Sequence, residues 1–204
     1  MQKKPSTRNP TETRQKLITA AVGLMLQQGY AATTVDQICA SANLTKGSFF
    51  HYFESKEAIC RTAVDWWGEF GTALYDEAWQ DSEMDPLDQL HRFFEIMIGF
   101  NERPEQACVC MVGMMSQELS GINPAMRELC EKHLQNWVDP VIRVLRAAQE
   151  KHPVKTPFEP DQVAWFLNSL WQGSMLIGKT RLNQQMTINN LKLARAWVDH
   201  FFGR

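Results

Sequence analysis

Apolar residues recur three and four apart along almost the whole chain, and no stretch of useful length alternates as a half-buried strand does. That pattern confines the chain to an all-α fold of about nine helices. Leu17, Ile18, Ala21, Leu24 and Met25 trace one face of a first helix from about Thr11, with Gly29 expected to end it. Thr33 or Thr34 caps a short second helix, Val35 to about Ser41, and Thr45 caps a third through about Tyr52. Ser55 caps a long fourth that reaches about Trp79, with Glu57 in its first turn, where the helix dipole favours an anion. The remaining helices are expected from Asp85-Pro86 to near Asn101, from about Pro104 to Leu119, from Asn123 to about Lys151, and over about Asp161–Thr180 and Ile188–Phe202. Pro140 predicts a kink in the seventh, and "KHPVKTPFEP" is the clearest linker.

One stretch fits neither a core helix nor a solvated one. Leu44 to Glu57 reads "LTKGSFFHYFESKE", too polar for the first and too aromatic for the second. Two short helices separated by a three-to-four-residue turn, both able to pack on the first helix, make a helix-turn-helix. The turn needs a residue that tolerates positive φ, and Asn43 is the best non-glycine choice. Phe49 and Phe53, four apart, face inward. Lys46, Gly47, Ser48, Phe50, His51 and Tyr52 are left around the helix start and its outer side. A helix N-terminus offers free N–H groups to phosphate, Lys46 adds charge, Gly47 permits close backbone approach, and aromatic rings suit thymine methyls or sugars. Lys56 is placed to take a flanking phosphate. The DNA-contacting set is therefore Thr34, Thr45, Lys46, Gly47, Ser48, Phe50, His51, Tyr52 and Lys56. The charge agrees: residues 1–60 carry net +3 on a remainder of net −5.

The segment "TTVDQICASANLTKGSFFHYFESKEAI" resembles the DNA-binding domain of the TetR/AcrR family of transcriptional regulators, the likeness running from about Thr11 to Ile59. The motif's fixed parts stand as Thr34, Ile38, Ala42, Leu44, Gly47, Tyr52, Phe53, Lys56 and Glu57. Asn43 replaces the usual Gly and Phe50 the usual Tyr; the second departure removes a hydroxyl, so van der Waals contact alone is left to that position. The resemblance implies a homodimeric, ligand-responsive repressor on a palindromic operator. It also implies a ligand cavity among helices four to eight and a four-helix dimer interface from the last two helices. Division follows at residue 55: a helix-turn-helix domain, 1–55, and a ligand-binding and dimerisation domain, 56–204.

Large apolar residues crowd the second part, and a Met and aromatic mixture lines adaptable pockets as readily as it fills cores. The ligand-lining set expected there is Trp67, Phe70, Phe93, Met97, Cys110, Met114, Trp137, Trp171 and Met175, for a small apolar or aromatic effector. For the dimer, Phe166, Leu170, Ile177, Leu191, Ala194, Val198 and Phe201 supply apolar stripes. The pattern Cys110-x7-Glu118-Leu119 resembles a subgroup of TetR-like regulators, some of which sense electrophiles or oxidants through a cysteine near this place. That leaves a covalent switch at Cys110 as the alternative.

No Gly-rich phosphate loop, HExxH or Gly-x-Ser-x-Gly elbow is present, so enzyme activity has no support and no cofactor is expected. Cys108-x-Cys110 and Cys130-x2-His133 match no zinc spacing, and no metal is expected. Five cysteines, an odd number in a chain this long, speak for a reducing compartment. With no apolar run of membrane length, the reading is a cytoplasmic protein with a basic N-terminal arm, "MQKKPSTRNPTE". Two other classes share these features: a nonspecific DNA-binding protein whose body only dimerises, and an enzyme or carrier that kept the helix-turn-helix.

Overall fold

The computed structural model describes residues 10–103 and 109–204. Among these the chain forms nine α-helices and no strand: α1 Pro10–Ala32, α2 Val35–Ser41, α3 Lys46–Tyr52, α4 Lys56–Asp76, α5 Pro86–Asn101, α6 Met111–Leu119, α7 Pro124–Lys151, α8 Pro160–Thr180 and α9 Gln184–Phe202. The expected N-terminal arm and the expected start of the sixth helix at Pro104 lie outside the described residues.

The helix starts are set by side-chain caps. Thr34, Thr45, Ser55, Asp85, Asn123 and Asn183 each accept a backbone N–H from the first turn of the helix that follows. Prolines open α5, α7 and α8, where the missing N–H costs nothing. Three boundaries differ from expectation. Gly29 does not end α1: the backbone breaks there, at φ 82° and ψ 173°, and the helix resumes for one short turn to Ala32. Helix α4 stops at Asp76 in a turn rather than at Trp79. Helix α9 begins at Gln184, where Asn183 supplies the cap that Ile188 lacked in the sequence pattern. Helix α7 spans Pro124–Lys151 with Pro140 inside it, the bounds expected of it.

Two apolar clusters result. One holds α1, α2, α3 and the first half of α4 against Met111, Met115 and Leu119 of α6 and Met126 and Cys130 of α7. The other joins α5, α8 and α9 to the second half of α7. The first cluster crosses the division expected at residue 55, because Ile59, Cys60, Ala63 and Val64 of α4 share a core with α1. Asp85 ties α5 to the end of α7. Burial disfavours its charge, but the Leu87 N–H, His152 and Lys151 outweigh that and bring its carboxyl down to about 2. Among the described residues no helix is long and apolar enough to cross a membrane.

Candidate functional site

Helices α2 and α3 meet through a turn in which Asn43 takes φ 52°, the left-handed conformation expected of it. Thr34 holds a reciprocal box with Gln37: its hydroxyl accepts the Gln37 N–H at 3.2 Å while Gln37 Oε1 accepts the Thr34 N–H at 2.9 Å. Thr45 accepts the Ser48 N–H at 3.2 Å. Phe49 is fully buried and Phe53 nearly so, while Phe50 is 56% exposed. Gly47 and His51 are exposed, and Ser48 and Tyr52 half-buried. Phe50, His51 and Tyr52 border an open surface groove with Ala58 and Thr62. One turn of helix thus separates a packed side from an apolar and polar outer side.

The two lysines of the set differ. Lys46 pairs with Asp36 at 2.8 Å, both side chains well exposed, and that carboxylate holds the ammonium above the usual lysine value. An exposed pair of this kind contributes little, so a phosphate can displace it. Lys56 is turned inward. Its ammonium donates to the Tyr30 carbonyl at 3.0 Å and lies 4.1 Å from the Tyr30 ring centre.

Lys56 is one of three side chains that grip the end of α1. Glu118 of α6 accepts the Tyr30 N–H at 3.0 Å and the Ala31 N–H at 3.1 Å. Those two groups follow the break at Gly29. Lys179 of α8 donates to the Leu26 carbonyl at 3.2 Å. So α4, α6 and α8 each hold a backbone group of α1 where it leads into the helix-turn-helix.

At their other ends, α4 and α6 border a cavity of about 80 Å³ at the seam between the two apolar clusters. Trp67, Phe70, Phe93, Cys110, Trp137, Trp171 and Met175 of the expected lining meet there. Met97 does not: it is buried in the α5 core. Met114 also turns away, into a separate groove between α6 and α8 beside Glu118 and Lys179. Both side chains lie one helical turn or less from the cavity, which shows how little periodicity says about which buried residues border a gap.

Polar groups ring the same space. Tyr75 is buried, and desolvation pushes its phenol well above the usual value. Trp137 Nε1, Asn168 Nδ2 and His133 Nδ1 are buried without a hydrogen-bond partner in the protein. His133 uses its other ring nitrogen on Asp65, at 2.8 Å. Cys110 stands at the N-cap of α6, and its sulfur accepts an N–H from Gln172 Nε2 at 3.5 Å. Deep burial raises two further thiols: Cys60 is pushed up to about 12, and Cys130 shifts the same way. Sequence reasoning missed Tyr75, His133, Asn168, Gln172 and Lys179. A signal existed for two of them. Asn168 sits on the stripe Ala164, Leu167, Trp171, Met175, and His133 on the stripe Met126, Cys130, Trp137, each a polar residue at an inward position.

Two family models match the chain: "Bacterial regulatory proteins, tetR family" over residues 17–63 and "Tetracyclin repressor-like, C-terminal domain" over residues 86–188. The HTH-type transcriptional repressor DhaR of Mycobacterium sp. (strain GP1) is 29% identical over 178 residues, 86% of each chain. The HTH-type transcriptional repressor NemR of Escherichia coli (strain K12) is 25% identical over 179 residues, 82% of this chain and 84% of NemR. The crystal structure of reduced E. coli NemR superposes with a TM-score of 0.80 at 24% identity, covering 94% of this chain and 97% of that one.

Proposed function

The chain belongs to the TetR family of bacterial regulatory proteins, and from that premise we propose that it is a DNA-binding repressor released from a palindromic operator by a small neutral effector. The observation that carries the regulatory part is the three-point grip on α1. Helices that border the cavity at one end hold Leu26, Tyr30 and Ala31 at the other. An effector that shifts α4 or α6 within the cavity moves backbone groups next to the helix-turn-helix. Two recognition helices then leave the spacing of successive major grooves. Residues 1–55 serve as the DNA-binding unit and 56–204 as the effector and dimer unit, in the cytoplasm.

Homodimerisation is supported by α8 and α9. Phe166, Leu176, Ile177, Leu193 and Trp197 remain exposed on the single protomer, a patch that a second copy would cover. Leu191, Ala194, Val198 and Phe201, expected in that interface, are spent inside the protomer's own core. Only part of the predicted stripe is therefore available to a partner.

Lys46→Ala tests the docking. A phosphate contact adds affinity without sequence information, so binding to all DNA should weaken. The slope of log affinity against log salt should fall by about 0.9 per lysine, about 1.8 for the dimer. Footprinting across genomic DNA should find one or a few palindromic sites. Unchanged affinity and slope in the variant would remove Lys46 from the interface, and uniform protection would favour a nonspecific DNA-binding protein.

A second reading is favoured by the position of Cys110. Its sulfur lies at a helix N-terminus, receives an amide N–H and lines the cavity. An electrophile entering there would form an S–C bond with the thiolate, the carbanion taking a proton from solvent. Under this reading Cys110→Ser stays on the operator when N-ethylmaleimide releases the wild type, and mass spectrometry finds one adduct at Cys110. Release of the serine variant alongside the wild type leaves the noncovalent effector as the sole switch.

A further inference from the structure

We propose that the effector is a small uncharged molecule bearing a hydrogen-bond-accepting oxygen, which receives the N–H groups of Trp137 and Asn168 inside the cavity. The inference rests on the reading of that cavity as the effector site.

Trp137 comes from α7 and Asn168 from α8, and both line the cavity. An indole Nε1 is a donor and nothing else, so its need is unambiguous. Tyr75 sits close enough for its phenol to feel the indole N–H, but the two rings meet edge-to-face with centres 6.4 Å apart and the contact does not reach hydrogen-bond geometry. Asn168 is 5% exposed, and its amide nitrogen likewise finds no acceptor in the protein. Stranding a buried donor costs about 1–3 kcal/mol. Native proteins keep few such groups, and two beside one gap point to a shared acceptor.

The third unpartnered atom does not belong to this pair. His133 Nδ1 is covered by α4: a Cβ built on Gly68 would stand 2.1 Å from it. The backbone of Gly68 lies against that side of the ring.

Charge narrows the class. Among the described residues no lysine or arginine lines the cavity, and the carboxylate that does, Asp76, is exposed. A bound anion would lie among Trp67, Phe93 and Trp171 with no lysine or arginine among the described residues to offset its desolvation and with His133 already engaged by Asp65, which is costly in so apolar a site. A cation would face the positive ends of two N–H dipoles. A neutral carbonyl, ether or similar oxygen meets both donors without either penalty.

Size narrows it further. A cavity of about 80 Å³ holds on the order of six water-sized spheres at 10–15 Å³ each. The matching ligand has a comparable number of non-hydrogen atoms, planar enough to lie against the aromatic walls.

The test uses three probes of equal heavy-atom count on the full-length protein without DNA: cyclopentanone, methylenecyclopentane and butyrate. Calorimetry should show cyclopentanone binding at least about tenfold tighter than the hydrocarbon, since only the ketone satisfies the donors. Butyrate should bind weakest. The indole N–H resonance assigned to Trp137 through Trp137→Phe should move with the ketone alone. Asn168→Leu and Trp137→Phe, each keeping shape, should together bring ketone and hydrocarbon to about equal affinity. Equal binding of ketone and hydrocarbon to the wild type, tightest binding by butyrate, no ketone binding at the solubility limit, or a preference unchanged in the double variant would each overturn the proposal. Operator retention is measured separately. Ketone preference without operator release would sink the regulatory reading and leave the ligand class standing. Release by the hydrocarbon or by butyrate would do the reverse.

Discussion

Gly29→Ala is expected to destabilise the protein by about 2–6 kcal/mol and to abolish operator binding at physiological temperature. At φ 82° and ψ 173° the backbone occupies a region essentially reserved for glycine, where a side chain costs about 1–3 kcal/mol of strain. The new Cβ would also stand 2.5 Å from Glu118 Oε1. The carboxylate must retreat, and the Tyr30 and Ala31 N–H groups lose their charged acceptor, worth about 1–3 kcal/mol. Against a typical domain stability of about 5–15 kcal/mol this is a large fraction. The two costs separate in a double-mutant cycle. In a Glu118→Ala background the clash is gone and only the strain remains, so Gly29→Ala should cost about 1–2 kcal/mol less there. Glu118→Ala alone should keep operator binding but respond less to effector, because one of three links to α1 is cut. Denaturant titration of the four proteins measures the cycle. Strictly additive losses would show that Glu118 and Gly29 do not act together.

Gly29 also marks where sequence reading stops. A glycine at the end of an apolar stripe reads as a helix stop, and the positive φ behind that rule is present. What the sequence cannot display is that Glu118, distant in the chain, captures the freed N–H groups and lets a last turn form. Glu118 entered only as part of a spacing pattern, and Lys179 not at all, since a polar residue on a helix gives no sign of the backbone group it will meet. Local features were legible: the caps at Thr45, Ser55, Asp85 and Asn123, the inward Phe49 and Phe53, and the left-handed Asn43 all depend on a few adjacent residues. The cavity was half legible. Large apolar residues at helical spacing are buried either way, and only tertiary packing decides that Phe93 borders a gap while Met97 fills the core. The same ambiguity affects α9, whose stripe served the protomer's own core before any interface.

Phe166→Glu combined with Ile177→Glu is expected to yield a folded monomer that binds the operator at least about a hundredfold more weakly than the wild type. The two side chains lie eleven residues apart on α8, three helical turns, and so share a face. They are 48% and 49% exposed in the single protomer, so glutamates there remain solvated in a monomer and cost its fold little. In a two-fold dimer each substitution appears twice on one self-complementary patch. Four carboxylates would then be buried or crowded in an apolar contact with no cation assigned to them, and removing such a penalty means separating the chains. The effect on DNA follows from multivalency. A dimer that has placed one recognition helix holds the second at high effective concentration over the other half-site, and that gain of about 10²–10⁴ vanishes for a monomer. Val198→Glu provides the contrast. It is 1% exposed, inside the protomer's own core, and should unfold the chain rather than split a dimer. Sedimentation, far-ultraviolet circular dichroism and a gel-shift titration distinguish the two outcomes. A Phe166→Glu, Ile177→Glu protein that stays dimeric and protects a full palindrome would place the interface on another face.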